Sequence, residues 1–234
     1  SFKCFPILSV MTSHYPPLLY IAVDVDYPGT KGGSTHVGEA VDSFRSLCNQ
    51  VYLLCRHAPG QSFLERRERL TILRVPIPHF SIFRVLSYFF YAFFISLYFL
   101  LFHHVQIVYE RARIFGGGGI LAGTLFGRNT VYELIEPYIT VPVLLGEIKR
   151  DSFLLNMIHT WHRFVTACAR LITVTHTSSL EGITHRRVVF IHSGANPQRF
   201  RPQKPSLSLQ RRYHLTPNKT LLYIGSFSPW HACG

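Results

Sequence analysis

The stretch LLYIAVDVDYPGTKGGSTHVGEAVDSF, residues 18–44, decides the fold. Leu18 to Val25 is an apolar, β-rich run that reads as a strand. Tyr27 to Gly33 is turn-rich, with Pro28, Gly29, Gly32 and Gly33. From about Ser34 apolar residues recur at Val37, Ala40, Val41, Phe44 and Leu47, the spacing of one helix face. Ser34 or Thr35 is the expected N-cap. Strand, glycine loop and helix in this order open a parallel α/β unit.

The alternation continues along the chain. Further strands are expected at 50–56, 71–75, 105–111, 130–136, 171–175 and 188–193. The charged stretch 64–70 is expected to be solvated. Helices are expected at 81–103, in a short segment within 116–127, and at 148–170, where Leu154, Met157, Ile158, Trp161, Phe164, Val165 and Cys168 form one stripe. The fold class that follows is α/β, a Rossmann-like, doubly wound, mostly parallel sheet. The expected organisation is an N-terminal extension at 1–17, the main domain at 18–195, a proline-rich basic linker at 196–219, and the first strand of a second domain within 220–234.

With 47% hydrophobic and only 15% charged residues, the 234-residue chain can bury a large core. The net charge of +12 favours anionic partners. Five cysteines with no CxxC pair argue against a disulfide framework or zinc ribbon and suit a reducing, cytoplasmic setting. His159 and His162 lack a third ligand at suitable spacing, so no metal site is expected. Ser178-Ser179 lacks the GxSxG elbow of a serine hydrolase. The basic linker has no interleaved aromatics, and nucleic acid is not an expected partner.

Gly32 and Gly33, directly before a helix and beside Lys31, suit a phosphate: glycine lets backbone approach an anion, and the helix start carries partial positive charge. The plainer reading is a tight turn. Gly117, Gly119 and Ala122 fit GxGxxA, but they stand away from their strand and in mid-sheet, so a backbone turn is the expected role. Glu110 and Arg111 end one strand, and Glu133 and Glu136 end the next. Ligands of open α/β sheets bind at such strand ends, so these charges are expected to line one crevice or to pair with each other there. Leu86 to Phe102 holds no charge. As a helix it is about 25 Å long, short of a bilayer core of roughly 30 Å. It is either a buried crossover helix or a face for peripheral membrane contact through 86–102.

The order of these pieces resembles the N-terminal domain of the retaining family-4 glycosyltransferases. The matching pieces are Gly32-Gly33 with His36, Tyr109-Glu110-Arg111, VYELIEPYI at 131–139, ITVTHTSSL at 172–180, VVFIHSGANPQRFRP at 188–202 and LLYIGSFSPWH at 221–231. The resemblance implies a GT-B fold, no cofactor or metal beyond a nucleotide-sugar donor, and a glycan, lipid-linked or small-molecule acceptor. It implies that His36, Glu110, Arg111 and Glu136 line the acceptor side. Gly32, Gly33, Gly225 and Ser226 would approach the donor phosphates. Ser193-Gly-Ala-Asn196 and Trp230-His231 depart from the family pattern. The family's donor-side carboxylates lie beyond these residues, so this chain alone is expected not to turn over. Two other functions fit the same residues: a non-catalytic Rossmann-like module that binds a nucleotide or phosphate, and a membrane-apposed interaction domain.

Overall fold

A computed structural model describes residues 15–78, 81–135, 148–150, 152–175, 177–180, 187–192 and 206–216, with isolated positions at 139, 143, 146, 183, 197, 201 and 204. The strands are β1 (Leu18–Asp26), β2 (Val51–Arg56), β3 (Leu64–Arg67), β4 (Leu70–Val75), β5 (Ile107–Arg111), β6 (Asn129–Leu134), β7 (Leu171–Val174) and β8 (Val188–Phe190). The helices are α1 (Gly32–Leu47), α2 (Ser81–Phe102), α3 (Gly118–Leu125), α4 (Phe153–Cys168) and α5 (Leu207–Arg212).

The strands form one sheet in the order β3-β4-β2-β1-β5-β6-β7-β8, parallel except for the β3–β4 pair. The strand direction and α/β alternation follow the sequence reading. The order turns around at β1 and β5, which are hydrogen-bonded neighbours although distant in the chain. Crossovers run away from that pair on both sides, which makes its strand tips the usual ligand position in such sheets.

Alternating side chains of β1 divide the core. Leu18, Tyr20 and Ala22 pack with α1 residues Val37 and Val41 on one face. Leu19, Ile21 and Val23 pack with Ala92, Phe99 and Leu100 of α2 and Ala122 of α3 on the other. Farther along the second face, Tyr132, Leu134, Ile172 and Val174 meet Leu155, Ile158 and Val165 of α4. The helices α1, α2, α3 and α4 lie where the sheet's two-residue period meets their own 3.6-residue stripes.

The structure adds four local details to these expectations. The charged segment at 64–67 is an antiparallel edge strand, with exposed Arg66 and Arg67 on the rim, a common way of guarding a sheet edge. Tyr15 bridges to Cys48, and the Pro17 carbonyl accepts from Gln106, so residues 15–17 are tied to the sheet rather than lying outside it. The basic stretch after 196 contains α5, whose first turn is capped by the Ser206 hydroxyl. Finally, α1 begins two residues early, at Gly32, with Lys31 at its N-cap and no side chain capping it. Residues 220–234 lie outside the described residues.

Candidate functional site

The crevice is built from β1, α1, β5, β6 and β7. β5 and β6 run in register, and Arg111 pairs with Glu133 across them. Tyr109 and Arg111, two residues apart on β5, share a face. That face carries α1, and it also receives Glu133 and Tyr20.

Glu133 is the centre of this face. Its Oε1 accepts from the Tyr109 hydroxyl at 3.1 Å and meets His36 Nε2 at 3.1 Å, while its Oε2 accepts from the Tyr20 hydroxyl at 3.3 Å. Thr173 Oγ1 lies 3.2 Å from the Tyr109 oxygen. Burial and the adjacent carboxylate push both phenols up in pKa, so they stay protonated and keep donating. The rings of Tyr20 and Tyr109 meet edge to face at 5.3 Å, which holds both hydroxyls in place. His36, on the first turns of α1, is 38% exposed at its side chain. With Nε2 engaged by Glu133, its Nδ1 is left as the ring nitrogen for a ligand hydroxyl.

Arg111 is 9% exposed, and its Nη1 is buried without a hydrogen-bond partner among the described residues. The Cβ that Gly33 lacks would stand 3.3 Å from that nitrogen, so the guanidinium lies against the first turn of α1. A Cβ at Gly32 would meet nothing within 4 Å, which marks open space beside the same turn. The Ser34 hydroxyl is also buried without a partner, but it faces Gly29 in the preceding loop. Nearby strand-tip charges are paired: Asp24 with Arg113, and Asp26 with Arg56 at 2.9 Å. Leaving a guanidinium nitrogen buried and unpaired costs several kcal/mol unless something else fills the place.

Glu110 lies on the opposite face. Its Oε1 accepts from Gly117 N at 2.7 Å and its Oε2 from Ile120 N at 2.9 Å, so the carboxylate closes the start of α3. Burial pushes its pKa up to about 7, against the opposing pull of those amides. The structure therefore brings Gly32, Gly33, His36, Arg111 and Glu133 to one face and places Glu110 on the other. Glu136, Gly225 and Ser226 lie outside the described residues.

The GxGxxA segment is explained by packing. A Cβ on Gly118 would fall 2.4 Å from the Phe89 carbonyl oxygen of α2, and one on Gly117 would fall 2.4 Å from Val165 of α4. Gly117 also has φ 97°, the left-handed region that favours glycine. With α3's start already occupied by Glu110, this segment has no open anion position. His162 is buried beside Tyr132, and burial lowers its pKa to about 4, so it is neutral. Among the described residues no three His, Cys, Asp or Glu side chains gather as metal ligands.

Sequence reasoning left Tyr20, Tyr109 and Thr173 out of the site. The signal was the two-residue period: Tyr109 precedes Arg111 by two, and both phenols sit on central strands among apolar neighbours where a hydroxyl needs a partner.

An open, mostly parallel sheet with helices on both faces and a strand-tip crevice at its reversal point is the architecture of the Rossmann-like domains of GT-B glycosyltransferases. Among solved structures the chain is similar to sucrose-phosphate synthase from Thermosynechococcus elongatus, with a TM-score of 0.61 and 15% identity, over 86% of this chain and 53% of that one. A shorter chain of the same synthase matches with a TM-score of 0.51 and 14% identity, over 85% of this chain and 96% of that one. The present chain thus spans about half the length of the larger synthase structure. No protein-family model and no curated protein matches the sequence. At this identity the likeness concerns the fold.

Proposed function

We propose that this domain is the acceptor-side half of a glycosyltransferase that uses a nucleotide-sugar donor, retains anomeric configuration as in family 4, and acts on a glycan, lipid-linked or small-molecule acceptor. The observation that carries the reading is the cluster of His36, Glu133, Tyr109 and Thr173, drawn from α1, β6, β5 and β7 to one edge of the crevice. Sugar hydroxyls need paired acceptors and donors held rigidly. Here a buried carboxylate fixes an imidazole that itself faces partly into solvent. Glu133 holds and orients; His36 is the group placed to touch the sugar. Gly32 and Gly33 give the donor phosphates close access to backbone amides. The positive charge and carboxylates that stabilise a departing diphosphate belong, in this reading, to a facing domain.

The reading is tested on the 234-residue chain by saturation-transfer NMR with a panel of neutral monosaccharides. At least one sugar is expected to give transfer signals that fall about tenfold in His36→Ala, the loss typical of a ligand hydroxyl left without its acceptor. Signals identical in wild type and variant would remove the sugar site from this crevice.

A second property is proposed for the outer face of α2. One face of this crossover helix is buried through Ala92, Ser96, Phe99 and Leu100, while Phe83, Leu86, Phe90, Phe94, Tyr98, Leu101 and Phe102 are exposed, with Phe94 at 59% and Phe102 at 68%. Exposed Phe153, Leu154 and Met157 of α4 extend the apolar surface, and exposed Arg84 and Arg163 lie on the same two helices. Such an apolar stripe with cations suits the interface of an anionic bilayer at the cytoplasmic surface. In a flotation assay the chain is expected to rise with vesicles containing phosphatidylserine. Phe90→Asp with Phe94→Asp should leave it at the bottom of the gradient; equal flotation of both proteins would refute the contact.

A further inference from the structure

The exposed face of α2 and the strand tips stand in a fixed relation. The first half of α2 lies beside the tips: its Phe89 carbonyl is 2.4 Å from where a Cβ on Gly118 would fall. Gly118 opens α3, the helix start that Glu110 closes at the tip of β5. α2 ends at the strand starts, where His103 Nδ1 meets the Tyr52 hydroxyl of β2 at 3.4 Å. α4 runs the same way, because the Arg170 N–H just past its end donates to the Thr130 carbonyl at the start of β6. Exposed Phe83, Leu86 and Phe90 of α2 and Phe153, Leu154 and Met157 of α4 therefore belong to the strand-tip end. Exposure continues to Phe102, so the 22 residues of α2 offer apolar surface along about 33 Å. α2, α3 and α4 hold no Asp or Glu, whereas α1 on the opposite layer holds Glu39 and Asp42. The layer without acids is the one whose charge suits an anionic bilayer.

With α2 lying along the interface, the strands, antiparallel to it, run parallel to the bilayer. Their tips then face sideways along the surface rather than away from it. His36, on α1, meets Glu133 on the far face of the sheet. Both stand more than one helix diameter, about 10 Å, above the α2 axis. An ordinary phospholipid head group fills only about 5–8 Å outside the hydrocarbon. We infer that the acceptor is a membrane lipid whose head group already carries at least one sugar. The lipid stays in the bilayer while its outermost sugar reaches His36. A soluble acceptor gains nothing from a bilayer-bound α2, whereas a lipid-borne one is concentrated on the same surface. This choice of acceptor rests on both readings above, the sugar contact at His36 and the membrane contact of α2.

The experiment is co-sedimentation of the 234-residue chain with vesicles at rising lipid concentration. All vesicles contain phosphatidylcholine and the same fraction of phosphatidylserine. They differ in a third lipid: plain diacylglycerol, monoglycosyl diacylglycerols bearing glucose, galactose or mannose, or diglucosyl diacylglycerol. Wild type is expected to bind vesicles with at least one glycosylated lipid about tenfold more tightly than those with plain diacylglycerol. His36→Ala should lose that gain. Ser43→Ala, at an exposed position farther along α1, should keep it. Phe90→Asp with Phe94→Asp should weaken binding to every vesicle. Equal binding to glycosylated and plain vesicles overturns the inference and leaves the membrane contact standing. Binding to no vesicle overturns both. A gain that survives His36→Ala puts the lipid's sugar elsewhere and also overturns the inference. Transfer signals from free sugars without any gain from glycolipids would keep the sugar site and restrict it to soluble acceptors, against the inference.

Discussion

Replacing Glu133 with alanine should lower the stability of the domain by about 3 kcal/mol, read as a shift in the urea unfolding midpoint. The side chain is 10% exposed and receives Tyr20, Tyr109 and His36. Removing it leaves the buried Tyr20 hydroxyl without its acceptor and leaves Tyr109 with Thr173 alone. Glu133→Gln should cost less, about 1 kcal/mol, because the amide oxygen still accepts from one tyrosine. Tyr20→Phe in the alanine background should restore part of the loss, since it deletes the stranded hydroxyl. The cycle separates a network from a list of independent bonds. Strict additivity of the two substitutions would show that Glu133 does not organise this face.

The second large effect concerns pH. Glu110 has its pKa raised by burial from 4.5 to about 7. Between those values the folded protein holds a proton that the unfolded chain has released. Stability from this group is therefore fully present below about pH 4.5 and is lost as pH rises through about 7. The size of the shift corresponds to about 3 kcal/mol. Comparing urea unfolding of wild type and Glu110→Gln from pH 4.5 to 7.5 isolates it, because other titrating groups are common to both. Wild type should lose stability relative to the variant across that window. A constant difference would mean that the amides of Gly117 and Ile120 hold the carboxylate ionised throughout.

The fold was legible because it rests on periodicity. The apolar runs of β1, β2 and β6 and the helical stripe of α4 report burial directly, and the alternation of strands and helices restricts the sheet to mostly parallel pairings. The edge strand β3 was not legible: Leu64–Arg67 is charged and exposed, and only pairing with β4 makes it extended. The start of α1 was misplaced because serine and threonine are good caps in isolation, whereas here two glycines enter the helix first and leave its amides open.

The site was half legible. Strand-end charges were visible as candidates, but side-chain direction separated them. Adjacent residues on a strand face opposite ways, so Glu110 went to the α3 side and Arg111 to the α1 side. What α2 does with its aromatic residues was also beyond sequence alone. A run of Phe, Tyr and Leu reads the same buried or exposed, and only the placement of α3 and the sheet shows which rings remain outside.

The central claim is that ligand meets this domain at the β1–β5 crevice, between the start of α1 and the tips of β5 and β6. The most direct measurement is an amide chemical-shift titration of the 234-residue chain with UDP-glucose and with glucose 6-phosphate. The account predicts that the largest perturbations fall at Gly32, Gly33, Ser34, His36, Arg111 and Glu133. Perturbations concentrated instead at Gly117–Ile120, or an absence of response to either compound, would contradict it.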